Sequence, residues 1–273
     1  MYPKQEKFHE KKIPGILGVM ILIVGVVVTT FLALKTTNLF QHAAPSENPN
    51  DIRITNITDS SFTVTYRTDT PVPGSVSLTS SQDPNPSVIL DDRDQLSGTP
   101  HAYGVHSLTA KNLSPQTTYS FSIISGTTTF LNNGNPFAVS TAATISAKPT
   151  TQPPAAGRIL TAQGNKPDEA LIYITSPDGQ LVSTLIKPSG LYILPLNTLR
   201  TKDLSSYATL SPETPLEILV ETAQETAHAK VSAGNTNPVA PMTLSEDYDF
   251  TQTSTPIASS SAAGGFPLFS LDT

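Results

Sequence analysis

Cysteine and tryptophan are both absent from the 273-residue chain. No disulfide, thiolate metal site, cysteine nucleophile or lipidated cysteine can therefore form. Without tryptophan the chain lacks the side chain best suited to stacking on sugars. For an exported chain, the lack of disulfides favours a bacterial surface, where packed sheets alone hold domains together. Charge is scarce as well, at 14% of residues, and 16 Lys and Arg stand against 22 Asp and Glu for a net charge of −6. An acidic surplus disfavours nucleic acid and anionic lipid headgroups as partners.

Motifs that carry chemistry are missing too. There is no HExxH, no GxSxG elbow, no P-loop and no Rossmann glycine pattern. His9, His42, His101, His106 and His228 show no metal-ligand spacing. His101 and His106 fall in an expected strand with opposite facing, and both read as surface or edge residues. Asp91-Asp92-Arg93-Asp94 is the one dense acidic stretch. Its carboxylates are oxygen donors of the kind calcium takes, but they lack the spacing of a DxDxDG loop. The preferred reading is a solvated turn in which Arg93 pairs a neighbour. An RGD tripeptide is absent, Arg67-Thr-Asp69 not being one, and there is no LPxTG signal. No catalytic, cofactor-binding or metal-ligating residue is assigned, no cofactor is expected, and the chain does not read as an enzyme.

What the chain does have is one long apolar run. Residues 13–34 hold 22 positions without a charge, between Lys12 and Lys35. At about 1.5 Å per residue a helix of that length spans roughly 33 Å, the depth of a bilayer core. Lys4, Lys7, Lys11 and Lys12 precede it, so residues 1–12 are expected in the cytoplasm and everything after residue 34 outside the plasma membrane. The competing reading is a cleaved signal peptide, but the run exceeds the usual apolar length, and the best small-residue site, Ala43-Ala44, lies well beyond it. Without the tail's four Lys and two Glu, the exported part carries −8.

Past a spacer at 35–49, which contains Pro45 and Pro49, strand patterns begin. Phe62, Val64 and Tyr66 alternate with Thr63 and Thr65, and Tyr119, Phe121 and Ile123 alternate with Ser120 and Ser122. Ile52–Ile57, Val76–Leu78, Val88–Leu90, Tyr103–Leu108 and Phe137–Val139 complete seven short strands, with Pro71-Val-Pro73-Gly74 read as a turn. Leu113-Ser-Pro115-Gln-Thr117-Thr-Tyr119 resembles the LxPxTxY signature of fibronectin type III domains. The resemblance covers residues 50–142 and implies a β-sandwich whose Tyr119 hydroxyl bonds back to upstream backbone. Tyr66 stands where that family usually has Trp.

Residues 143–156, with Lys148-Pro-Thr-Thr-Gln-Pro-Pro154, read as an extended linker that spaces two modules apart. A second strand-rich block follows at 157–245. Gly157-Arg-Ile, Gly164 with Pro167, Ala170-Leu-Ile-Tyr-Ile174 and Gly190-Leu-Tyr192-Ile-Leu resemble the carboxypeptidase regulatory-like, or transthyretin-like, sandwich. A helical turn or two is expected within 197–207. Residues 246–273, rich in Ser, Ala and Gly, read as a disordered tail.

The expected architecture is therefore an all-β ectodomain of two Ig-like, fibronectin-type sandwiches in tandem behind one N-terminal transmembrane helix. The expected role is structural, adhesive or protein-interacting at the cell envelope, with protein or polysaccharide partners. The alternative is a protein that binds a cell-wall glycan or extracellular polymer. Tyr103 and Tyr192 would then be stacking candidates, against a reading of both as core residues.

Overall fold

The structure, a computed structural model, describes residues 46–81 and 83–251. Among these residues no helix is long and apolar enough to cross a membrane. The run at 13–34, the basic tail before it and residues 252–273 lie outside the described residues. From Glu47 onward the described chain forms one compact unit whose regular elements are strands, apart from one short 3-10 turn at Ala233–Asn235.

The first seven strands are β1 (Asn50–Thr55), β2 (Phe62–Ser80), β3 (Ser87–Leu90), β4 (Ala102–Ala110), β5 (Thr118–Ser125), β6 (Thr128–Phe130) and β7 (Phe137–Ser140). Strand β2 serves two layers. Its first part pairs with β1 and β4, while its second part, from Gly74, pairs with β3 and β5. Three strands thus face a second layer of β3, β5, β6, β7 and the end of β2. The expected turn at Pro71–Gly74 is not one. Proline's fixed φ near −65° is compatible with extended chain, and here it carries β2 from one sheet into the other, with a register shift against β4 between Arg67 and Val72. The core between the layers contains Phe62, Val64, Tyr66, Val76, Leu78, Leu108, Phe121 and Ile123. Ser114 donates its amide to the Tyr119 hydroxyl at 2.9 Å, which is the tyrosine corner that the LxPxTxY motif implies. Strand pairing and corner together make this a fibronectin type III-like sandwich.

The second group comprises β8 (Ala155–Leu160), β9 (Leu171–Thr175), β10 (Val182–Leu185), β11 (Leu191–Leu194), β12 (Pro215–Glu221), β13 (Thr226–Ser232), β14 (Met242–Thr243) and β15 (Asp247–Asp249). They form a five-stranded sheet, β10-β9-β12-β13-β15, and a three-stranded one, β11-β8-β14. Ile159, Ile172, Ile174, Tyr192, Leu194, Ile218, Val220 and Val231 fill the space between them. No helix forms within 197–207, where bridges join Thr201 to Gly179 and Arg200 to Tyr207. The sandwich also continues past residue 245. Strand β15 pairs in parallel with β13, and Tyr248 and Phe250 pack against the core, so the tail reading does not hold as far as Phe250.

Strand β9 is buried on both faces, as its unbroken apolar run Leu171–Ile174 requires. Ile172 and Ile174 point into their own sandwich, while Leu171 and Tyr173 pack with Val105 of β4. The face of β1, β2 and β4 that looks away from the first core therefore lies on the five-stranded sheet of the second module. The modules are docked, not spaced apart.

Candidate functional site

The acidic loop after β3 does not sit in solvent. Asp91 is fully buried and Asp94 nearly so, because each carboxylate is saturated by donors from the loop and from β4. Asp91 accepts from Arg93 Nε and Nη2 at 2.7 and 2.9 Å and from the Ser107 amide at 3.1 Å. Asp92 accepts from Ser107 Oγ at 2.8 Å and from the Thr109 amide and hydroxyl at 2.9 and 2.8 Å. Asp94 accepts from the His101 amide at 2.9 Å and the Tyr103 hydroxyl at 3.0 Å, and its Oδ1 lies 2.7 Å from His101 Nδ1. The loop is a clasp on β4. Arg93 does pair its neighbour, as expected, but the solvated-turn reading fails.

These contacts set the ionisation of the loop. Burial raises the Asp92 carboxyl above the ordinary carboxylate range, although its Ser107 and Thr109 donors act in the other direction. For Asp94, the bonds from His101 and Tyr103 outweigh burial and hold the carboxyl below that range. Burial and the hydrogen bond to Asp94 push the Tyr103 hydroxyl up to about 12. Among the described residues no group of three or more acidic or histidine side chains is placed to hold a metal ion.

His106 is the second departure from sequence reasoning. His101 lies at the surface as expected, but His106 is fully buried, with its ring stacked on Tyr66 at 4.3 Å. Its inward side is that of Leu108 and Ala110, two and four residues on. Among the described residues neither ring nitrogen has a hydrogen-bond partner, nor does the Tyr66 hydroxyl, and Asp91 Oδ2 lies 3.7 Å from Nδ1. Gly74 makes the room: a Cβ there would lie 2.3 Å from His106 Nδ1 and 2.4 Å from the Tyr66 hydroxyl. Burial drives the imidazole down to about 4, against the pull of the Asp91 charge, so it is neutral at physiological pH. His228 is exposed on β13, while His9 and His42 lie outside the described residues.

The seam between the modules carries the densest polar chemistry. Arg53 of β1 forks onto Glu221 of β12 at 2.6 and 2.9 Å, with its guanidinium 4.6 Å from the centre of the Tyr173 ring. The Tyr173 hydroxyl donates to Thr65 at 3.0 Å, and the hydroxyls of Thr55 and Ser183 meet at 2.6 Å. Arg93 reaches Glu169 at 3.1 Å, and the other oxygen of Glu169 accepts the Gly104 amide at 2.7 Å. Gly104 needs to be glycine here, since a Cβ would come within 2.8 Å of that carboxylate and 2.9 Å of Ala223.

Two amides clasp the seam reciprocally. Asn56, held at φ 53° where Asn is tolerated better than most residues, donates to the Ser183 carbonyl and accepts its amide, both at 3.0 Å. Gln180 in turn accepts the Ile57 amide at 2.9 Å and donates to its carbonyl at 3.1 Å. Arg200 closes the far end through the Ala143 carbonyl at 2.8 Å and Asp59 at 3.3 Å. Beside this clasp lies a cleft of about 590 Å³ lined by Ile54, Ile57, Pro177, Leu181, Leu204 and Pro215, with Lys202 and Glu217 among its polar residues. Sequence reasoning identified none of these seam contacts, because the partners lie 57 to 168 positions apart along the chain.

The tyrosines named for glycan stacking are not free. Tyr192 is buried under Gly157 in the second core. Tyr103 is half-buried, and the Arg93 guanidinium lies 3.4 Å from its ring centre, covering a face that a sugar would need.

No protein-family model matches the sequence, and no curated protein matches it. Solved structures show partial likeness. A computationally redesigned β-sandwich protein is 23% identical over 36% of this chain and 96% of its own, with a TM-score of 0.26. The FN1-FN3 domains of chicken CNTN1 are 12% identical over 76% of this chain and 68% of theirs, TM-score 0.26. A segment of two fibronectin type III domains from chicken tenascin is 12% identical over 68% of this chain and 99% of its own, TM-score 0.23. Likenesses this low carry no argument, and the fold assignment rests on the strand pairing and the tyrosine corner.

Proposed function

We propose that the chain is a non-enzymatic, single-pass membrane protein of a bacterial cell envelope. Its docked β-sandwiches would form one rigid extracytoplasmic head with a structural or protein-interaction role. The observation that carries this reading is the seam. Ion pairs, the amide clasp and the Val105–Leu171–Tyr173 contact fix one module on the other, which suits a part that must present or transmit a fixed geometry. The apolar run at 13–34, with lysines before it, supports the anchor and its orientation. The glycan-binding alternative loses support because Tyr192 is buried and Tyr103 is capped by Arg93.

The test is fractionation and surface proteolysis of cells expressing the full chain. The anchored reading expects the protein to stay in the membrane pellet after alkaline carbonate, to leave it in detergent, and to lose its head to protease added outside intact cells. Release by carbonate, or protection from external protease, contradicts it. A screen of the head against purified envelope proteins and wall polysaccharides then separates interaction from glycan binding.

A further inference from the structure

The second sandwich leaves one sheet face open. Strand β11 is the edge of the three-stranded sheet and, among the described strands, pairs with β8 alone, with Leu191 opposite Arg158 and Ile193 opposite Ala156. Leu191 and Ile193 are 38% and 45% exposed, although both are large aliphatic side chains. With Pro238, Val239 and Pro241 they line an apolar groove of about 470 Å³, in which Arg158 is the one charged residue among the described residues. An open apolar face of this kind is normally covered in the working molecule.

We propose that the segment Phe266-Pro-Leu-Phe-Ser-Leu271 of the same chain occupies this groove. Three observations select this occupant. Phe266, Leu268, Phe269 and Leu271 form a compact apolar group near the end of residues 252–273, which are otherwise mostly polar or small. Asp272, directly after them, is the only charged residue in 252–273, and Arg158 is the only one in the groove, so one ion pair can fix the direction of the segment. The reach is also right. The described chain ends just past β15, in the five-stranded sheet of the sandwich whose other sheet carries the groove. With sheets about 10 Å apart and neighbouring strands about 5 Å apart, a groove on the outer face of the other sheet, near the edge far from β15, lies on the order of 20 Å from that end. Fourteen residues, 252–265, connect the two places, and a Gly/Ser-rich stretch of that length has a root-mean-square span of roughly 20 Å. A tether matched to its span gives an effective concentration in the millimolar range, so a contact whose own Kd lies below that range is occupied most of the time.

The chain has no cysteine, so a disulfide can report the contact without background. The full-length protein carrying Ile193→Cys with Phe269→Cys is oxidised mildly. The control pair is Leu96→Cys with Phe269→Cys, Leu96 being fully exposed on the first module. The proposal expects an intrachain disulfide forming at least roughly tenfold faster than in the control, at a rate independent of protein concentration. Leu191→Cys with Leu271→Cys repeats the test should Ile193→Cys perturb folding. Equal rates in test and control for both pairs overturn the proposal and leave the groove to another partner. Interchain dimers whose rate rises with concentration also overturn it, and assign the groove to the tail of a second copy.

Discussion

The guanidinium of Arg53 meets the carboxylate of Glu221 through two hydrogen bonds, of 2.6 and 2.9 Å, across the seam between the modules. Glu221 is almost wholly buried by this contact while Arg53 stays a quarter exposed. A forked pair of this kind fixes angle as well as distance, because both donors must meet both acceptors. Glu221→Ala would leave a partly buried guanidinium against Tyr173 without its counter-ion. The expected loss is about 2–3 kcal/mol in denaturant unfolding. A double-mutant cycle with Arg53→Ala should return a coupling of about 1–2 kcal/mol; near-zero coupling would mean that the pair contributes nothing to docking.

His106 predicts a specific pH dependence. Its folded value, about 4, lies below the ordinary 6.5, so the unfolded chain binds a proton that the folded chain refuses. Its stabilising contribution is complete above about pH 6.5, falls as pH drops toward 4, and then levels off. The full amplitude is on the order of 3 kcal/mol. His106→Phe keeps the ring against Tyr66 and removes the proton, so the slope between those pH values should flatten by one proton. An unchanged slope would place the titration elsewhere.

The amide clasp can be tested by changing a single atom. Asn56→Asp replaces the donor to the Ser183 carbonyl with a second acceptor, whereas Asn56→Ala removes both bonds. The aspartate should therefore be the worse of the two, with losses of about 1–2 kcal/mol for alanine and more for aspartate near neutral pH. Equal losses would show that the clasp is incidental.

Calcium should do nothing at the acidic loop. The carboxylates of Asp91, Asp92 and Asp94 are already satisfied by Arg93, Ser107, Thr109, Tyr103 and the His101 amide. Millimolar calcium is expected to leave the melting temperature unchanged, while Asp91→Ala, which leaves Arg93 with Glu169 as its remaining counter-ion and the buried Ser107 amide without its acceptor, should cost about 3 kcal/mol. A calcium-dependent rise in melting temperature would revive the cation reading.

Much of the fold was legible because periodicity records a local fact. The alternation at Phe62–Tyr66 and Tyr119–Ile123 is the signature of a strand with one face in a core, and Leu113–Tyr119 carries its own corner. The unbroken Ala170–Ile174 even signals a strand covered twice. What covers it was not legible. Thr55, Thr63 and Thr65 look like a solvated Thr face until a second module lies on them, and Asn56 and Gln180 carry no local signal of partners over 120 positions away. Pro71-Val-Pro73-Gly74 misleads because turns and extended proline segments share a composition. His106 shares the parity of Leu108 and Ala110, so its burial is written in the strand period even though the polarity of the ring points the other way.

The claim on which the rest depends is that the two sandwiches form one rigid head. Spin labels at Val88→Cys and Lys230→Cys, exposed positions on the first and second modules, would measure the distance between them directly. Docking predicts a single narrow distance distribution that broadens in the Arg53→Ala, Glu221→Ala double variant. A broad distribution in the otherwise unmodified chain would mean that the modules move on their linker, and would contradict the account.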